Sequence, residues 1–263
     1  MASDLAAEAL IDELGIDHPK DIDLDAIALT VGISVTYRRL TGCDALLVGH
    51  EARAMVTVNR DCSTERQRFS LAHELGHWHY HRGQGLYCLS GDIDGDPRVG
   101  REPELTADHY ASSLLMPTRL FVPFVDAAQP TWKHMRSVAS AFSTSLVATA
   151  LRMSELSASP LLFVVAKHGR RQWFHRGPAG TEAGWFPTEA LGAESAAFDL
   201  SFRAEPARGP RRVPAHAWFD GWTFGGGMEI MEDAIRVGDS AYALLWPTTG
   251  GLQARSRGAS RTW

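Results

Sequence analysis

The sequence predicts an α+β protein: a mainly helical N-terminal domain with a small antiparallel sheet, then a helix-turn-helix, then a mostly β C-terminal domain. Three observations lead there. Apolar residues recur at helical spacing around three short β-rich runs in the first 120 residues. Two helical patterns joined by a short polar link follow, and beyond Ala158-Ser159-Pro160 the apolar runs are short, strand-like and separated by glycine- and proline-rich loops. The expected domains are 1–128, 129–158 and 159–263. A chain of 263 residues, 44% hydrophobic and 22% charged, is long enough for that many.

The first helix, 3–14, places Leu5, Ala6, Ala9 and Leu10 at helical spacing, with Ser3 as its N-cap. After His18-Pro19, Leu24, Ile27, Ala28 and Val31 repeat the pattern and Gly32 ends it. The runs 33–40, 45–49 and 54–58, with Thr41-Gly42 in one connection, read as an antiparallel meander. Its last strand is an edge that either receives an extended peptide or is capped by a loop.

The next helix, from a cap at Thr64 to about Gly83, carries Arg66-Gln67-Arg68-Phe69-Ser70-Leu71-Ala72-His73-Glu74-Leu75-Gly76-His77. Positions i and i+4 lie about 40° apart around a helix, so His73 and His77 turn their imidazoles toward one cation. Zinc is the cation expected. Glu74 projects beside the metal rather than onto it, where a carboxylate takes a proton from the attacking water and later passes it to a leaving amine. A tetrahedral catalytic zinc needs a third protein ligand and one open position. Glu104-Leu105-Thr106-Ala107-Asp108 supplies it on a second helix, with Glu104 as ligand and Asp108, one turn on, accepting a hydrogen bond from the outer ring nitrogen of a ligating histidine. The competing reading is a site that is degenerate, structural or fortuitous.

His79 faces away from this stripe. His81 returns to within about 80° of His73, and a solvated helix end is favoured over a place in the cleft. Segment 90–101 reads as a lid; its Asp92-Ile93-Asp94-Gly95-Asp96 is no calcium loop, because Pro97 and Pro103 fill the positions that need glycine and the twelfth ligand. Leu105, Tyr110, Ala111, Leu114 and Leu115 give the second helix its buried face, and Met116-Pro117 stops it.

Segments 132–141 and 146–156, joined by Phe142-Ser143-Thr144-Ser145, outline the helix-turn-helix, with Ser145 as cap and Arg152, Ser154 and Glu155 on the outer face. That face is poor in cations, so packing or protein recognition outranks DNA binding. Farther on, 161–166 and 172–175 form a hairpin about His168-Gly169-Arg170, and 197–202, 213–219 and 241–246 read as strands. Trp173, Trp185, Trp218, Trp222 and Trp246 fit a core or cross-strand role better than a ligand-sensing pocket. The tail, 256–263, reads as disordered.

The net charge of −5 gives no global affinity for nucleic acid. Cys43, Cys62 and Cys88 fit neither a disulfide framework nor a metal knuckle. The N-terminus lacks the basic and apolar regions of a secretory signal, and the aliphatic run 161–166 is too short for a bilayer, so a cytoplasmic protein without membrane partners is expected.

These motifs together resemble the ImmA/IrrE family of bacterial zinc metallopeptidases. The resemblance rests on Asp25-Ala26-Ile27-Ala28 before Gly32-Ile33-Ser34-Val35, on Val58-Asn59 ahead of the Arg66 to His77 motif, and on a second segment ending Leu114-Leu115-Met116-Pro117. It covers roughly the first 120 residues, and the later helices and β-rich end resemble longer IrrE-like members with a GAF-like domain. Where the family often has asparagine, this chain has Asp108. The resemblance implies a zincin-like (gluzincin-like) site-specific endopeptidase that cuts a cognate helix-turn-helix (XRE-like) repressor and switches on a DNA-damage, stress or mobile-element response. It implies His73, His77 and Glu104 as zinc ligands and Glu74 as acid/base; Tyr110, His109 and His81 are the candidates for an oxyanion donor. The competing class is a non-proteolytic transcriptional regulator with a structural zinc that binds DNA, a repressor or a small signal; a base beside the metal has no use there.

Overall fold

The computed structural model describes residues 2–82, 101–202, 209–220 and 227–248. In chain order these form α1 (Ala2–Glu13), α2 (Leu24–Thr30), β1 (Ile33–Arg38), β2 (Ala45–His50), β3 (Arg53–Asn59), α3 (Thr64–His81), α4 (Arg101–Leu115), α5 (Thr118–Ala127), α6 (Trp132–Phe142), α7 (Leu146–Leu156), β4 (Leu162–Lys167), β5 (Arg170–Arg176), α8 (Pro178–Glu182), α9 (Ala196–Phe202), β6 (Arg211–Pro214), β7 (Glu229–Val237) and β8 (Ser240–Pro247). The composition is α+β. The chain divides into two compact units, Met1–Pro123 with Val138–Ala148 and Phe124–Ser137 with Thr149–Trp263, so the division runs through α5, α6 and α7.

In the first unit α1 starts at Ala2, which puts Ser3 inside the first turn rather than at the cap. The helix α2 is capped by Asp23, whose Oδ1 accepts the N–H groups of Asp25 at 3.0 Å and Ala26 at 3.1 Å. Gly32 follows it at φ +82°, and a Cβ there would stand 2.7 Å from the Ala52 carbonyl oxygen. Only glycine meets both demands.

The sheet corrects the expected meander. Its order is β1-β3-β2: β1 pairs with β3 in parallel, Val35 opposite Val56, and β2 pairs with β3 antiparallel, Leu47 opposite Val56. The last strand is therefore central, not an edge. The chain has to cross the end of β3 between β1 and β2, and Asn59 satisfies the crossing loop. Its Oδ1 accepts the Leu40 N–H at 3.3 Å, and its amide donates to the carbonyls of Leu40 at 3.2 Å and Cys43 at 3.3 Å. The strand β3 alternates in burial, Ala54, Val56 and Val58 in and Arg53 and Met55 out, and α3 lies against β2 and β3 with Leu71 and Leu75 buried. The helix α4 packs on α3 and α1.

The second unit holds a five-stranded antiparallel sheet, order β5-β4-β8-β7-β6. The strand β4 is buried from Leu162 to Ala166, so both faces are covered. Phe163 meets Trp132 and Tyr242 on one side, while Leu162 and Val164 join Trp185, Ala197, Leu200 and Trp218 on the other. The adjacent residues Glu232 and Asp233 of β7 serve helices on these two sides. Glu232 accepts the N–H groups of Ala196 at 2.8 Å and Ala197 at 2.9 Å at the start of α9, and Asp233 accepts the Trp132 N–H at 2.7 Å at the start of α6.

Three expectations fail here. Residues 197–202 are helical, because Glu232 satisfies the exposed donors of that first turn. The run 213–219 is split by a 3-10 turn at Ala215–Ala217. And β7, read as no element from the sequence, is a central strand. The hairpin of β4 and β5 and the strand at 241–246 are as expected. Trp185 and Trp218 are core residues, Trp173 is half exposed against Phe163, and Trp222 and the tail 256–263 lie outside the described residues.

Candidate metal centre

The cap of the helix that carries the motif lies one residue before the expected one. Ser63 is extended at φ −61°, ψ 157°, and accepts the Arg66 N–H at 3.3 Å, while Thr64 is already helical. Leu71, Leu75 and Trp78 bury one face, and Trp78 also donates to the Val31 carbonyl at 3.0 Å. This leaves His73 and His77 on the side that faces α4. At Gly76 the two helices touch: an added Cβ would lie 2.9 Å from Ala107 Cα and 3.1 Å from Tyr110 Cβ. Ala107 lies between Glu104 and Asp108, so this approach brings both carboxylates to the histidines.

The ring nitrogens and the carboxylate converge. His77 Nε2 lies 2.9 Å from His73 Nε2, His73 Nε2 lies 3.2 Å from Glu104 Oε2, and His77 Nε2 lies 3.3 Å from Glu104 Oε1. A tetrahedral cation with bonds of about 2.0–2.1 Å spaces its ligand atoms about 3.3 Å apart. The two-nitrogen, one-oxygen set therefore fits a divalent metal. His73, His77 and Glu104 form such a group among the described residues, with all ligand atoms within 4.8 Å. Behind it, His73 Nδ1 meets Asp108 Oδ1 at 2.9 Å, leaving Nε2 for the cluster.

Electrostatics separate the residues by role. His77 is almost fully buried, and burial, with the neighbouring His73 and His81, pushes its pKa down to about 4, so it is a neutral imidazole with a free lone pair near pH 7. Burial also opposes a charge on His73, but the hydrogen bond and charge of Asp108, with Glu74 and Glu104, outweigh it and raise its pKa. Glu74 is 3% exposed, and burial pushes its carboxyl up to about 7, opposed by His73 and reinforced by Glu104. Its Oε2 is buried with no hydrogen-bond partner among the described residues. A carboxyl so held is poised to exchange a proton near neutrality.

This arrangement coincides with a known domain. The family model for the IrrE N-terminal-like domain, Peptidase_M78, matches residues 28–154. The similarity to the IrrE N-terminal-like domain, which supports the ImmA/IrrE resemblance, thus falls on just under half of the chain. The radiation response metalloprotease IrrE of Deinococcus deserti is 27% identical over 119 residues, covering 45% of this chain and 42% of the relative. The same-named protein of Deinococcus radiodurans is 24% identical over 116 residues, covering 44% and 35%. The chain thus matches less than half the length of these relatives. A solved structure described as a Mycobacterium tuberculosis transcriptional regulator shares the fold, with TM-score 0.60 at 17% identity over 94% of this chain and 75% of that one. Among the described residues no helix is long and apolar enough to cross a membrane.

Other expected residues of the IrrE-like domain distribute differently. His79 is exposed, as expected, and stacks on Tyr110 with centroids 5.6 Å apart. Tyr110 is buried between His79 and Tyr80, which gives it a packing role, and His109 is exposed. His81 corrects its reading as a solvated helix end: it is half-buried, with Nδ1 3.0 Å from His77 Nδ1. In α7 Ser145 accepts the Ala148 N–H at 3.1 Å as foreseen, but Arg152 and Ser154 are buried rather than outward, and Arg152 pairs with Glu155 at 3.5 Å. Cys43 and Cys62 are free thiols. Cys88 and the segment expected as a lid, up to Gly100, lie outside the described residues. The loop-spanning role of Asn59 has no local sequence signal, and Gly76 is legible only as part of the motif.

Proposed function

We propose that this chain is a zinc-dependent, site-specific endopeptidase that cleaves a cognate helix-turn-helix (XRE-like) repressor in the cytoplasm and so induces a stress, DNA-damage or mobile-element response. One observation carries the reading: His73, His77 and Glu104 converge at tetrahedral spacing beside the buried carboxyl of Glu74, whose Oε2 has no hydrogen-bond partner among the described residues. A zinc ion held there supplies Lewis acidity, polarising a scissile carbonyl and making water nucleophilic at neutral pH. Glu74 takes the proton of the attacking water and returns it to the leaving amine. Asp108 keeps the His73 ring turned with Nε2 inward. The relatives' description as radiation response metalloproteases supports both the chemistry and the biological setting.

For the remainder of the chain we propose a helix-turn-helix at 129–158 that recognises protein rather than DNA, and a GAF-like sensor at 159–263. The buried, paired Arg152 and the net charge of −5 support the first. The five-stranded antiparallel sheet covered on both faces is compatible with the second.

The alternative is a non-proteolytic regulator in which zinc is structural, and the buried Glu74, with its partnerless Oε2 among the described residues, weighs against it. Co-expression with the repressor encoded nearest to this gene, followed by intact-mass spectrometry, decides between them. Cleavage by wild type but not by Glu74→Gln, with zinc retained in both, is the expected result. Intact repressor alongside bound zinc and altered transcription would establish the alternative.

A further inference from the structure

The metal cluster leaves one hydrogen bond without an assigned role. Each of the two cluster histidines turns Nε2 inward and Nδ1 outward, and a ring buried this way needs a partner on its outer nitrogen. For His73 that partner is Asp108, reaching across from α4. For His77, whose side chain is wholly buried, it is His81, one turn farther along the same helix, with Nδ1 atoms 3.0 Å apart and ring centroids 5.1 Å apart at 47°. His81 meets the ring on the side away from His73 and Glu104. It is therefore placed neither to ligate with them nor to touch a substrate carbonyl there.

We propose that His81 is a positioning residue for the metal centre: it accepts the Nδ1–H of His77 and so holds that ring in the tautomer whose Nε2 is free to face His73 and Glu104. The proposal rests on the metal-centre reading above. The proton count is fixed by chemistry. A ring that gives its Nε2 lone pair to a cation carries its proton on Nδ1, so His77 donates and His81 Nδ1 accepts. His81 must then carry its own proton on Nε2. The centre is consequently oriented by two unlike groups, a carboxylate behind His73 and a neutral imidazole behind His77. A carboxylate pushes electron density onto the ring it orients more strongly than an imidazole does, so the His77 bond is the more dependent on simple alignment. The partner also comes from the last turn of α3, so the alignment of His77 depends on that turn being formed.

Zinc affinity by chelator competition tests this in the full-length protein, with His79→Asn as a control on the exposed face. His81→Phe keeps a ring and removes the acceptor; roughly tenfold to a hundredfold weaker zinc binding is expected, with unchanged melting of the metal-free protein. His81→Asn places an amide oxygen close to the lost Nδ1 and is expected to restore most of the affinity. Equal affinities for His81→Phe and wild type, or equal losses for His81→Phe and His81→Asn, overturn the proposal. A readout on unaltered protein covers the case of a variant that does not fold. Long-range proton–nitrogen spectra of the zinc-loaded wild type should show His81 protonated on Nε2, and a proton on its Nδ1 instead would sink the assignment. A wild type that binds no zinc fails the metal-centre reading itself, a result distinct from zinc binding that is indifferent to His81.

Discussion

Gly76 of α3 lies against Ala107 of α4 so closely that a Cβ on Gly76 would stand 2.9 Å from the Ala107 Cα, a backbone atom that cannot rotate away. This contact sets how near Glu104 and Asp108 come to the histidines. In Gly76→Ala, the roughly 1 kcal/mol that alanine gains in a helix interior opposes an overpacking cost of about 1–3 kcal/mol. The helices must part, so zinc affinity is expected to fall more than thermal stability. Chelator competition and calorimetry on the same variant measure both. A variant that melts higher and binds zinc normally would show that the contact is not limiting.

Glu104 and Asp108 sit one turn apart but should fail differently. Wild type is expected to carry about one zinc per chain, and Glu104→Ala to lose it, because two imidazoles leave the coordination sphere incomplete. Asp108→Ala should weaken zinc binding roughly tenfold to a hundredfold without changing the fold, since it removes only the partner of His73 Nδ1. Metal analysis by mass spectrometry separates the two. Full zinc in Glu104→Ala would mean that another group supplies the third ligand.

The metal cluster was legible because its information is local: His73 and His77 are four residues apart, as are Glu104 and Asp108, and helical geometry does the rest. The approach of the two helices depends on packing, which spacing alone does not encode. The sheet order was hidden for a similar reason. Nothing in the three β-rich runs says that the chain crosses β3 before pairing, and the crossing is held by the side chain of Asn59 from another segment. In the second unit Glu232 and Asp233 break the apolar pattern of β7, which disguised a central strand as a loop, and one of their hydrogen-bonding targets turned an apolar run read as a strand into α9.

The two cluster histidines should titrate in opposite directions in metal-free protein. His73 is raised above 6.5, so its contribution to stability is present below 6.5 and lost as pH rises through its folded value. His77 is lowered to about 4, so its contribution is present above 6.5 and lost as pH falls toward 4. Histidine NMR titration of chelator-treated protein is expected to find His77 neutral at pH 5 and His73 already charged. Protons should accordingly begin to displace metal at His73 first. A His77 that titrates at its ordinary value would remove the argument that burial keeps it ready to ligate.

Glu232 anchors α9 through both carboxylate oxygens, and its loss should be felt across the second unit. Glu232→Ala leaves the N–H groups of Ala196 and Ala197 without their acceptor, at a cost of about 1–3 kcal/mol, whereas Glu232→Gln keeps one acceptor oxygen and should cost less. The pH dependence distinguishes a cap from a buried charge. Burial raises the Glu232 pKa above 4.5 despite the two backbone N–H groups that favour the charged form. A carboxyl raised in this way contributes stability that is fully present below 4.5 and is lost as pH rises through the folded value. The advantage of wild type over Glu232→Gln should therefore shrink as pH rises above 4.5. Urea denaturation followed by tryptophan fluorescence reports it, since Trp185 and Trp218 lie in the same core. If the advantage grows with pH instead, the charge is stabilised by its hydrogen bonds more than burial opposes it, and Glu232 acts as an ionised cap.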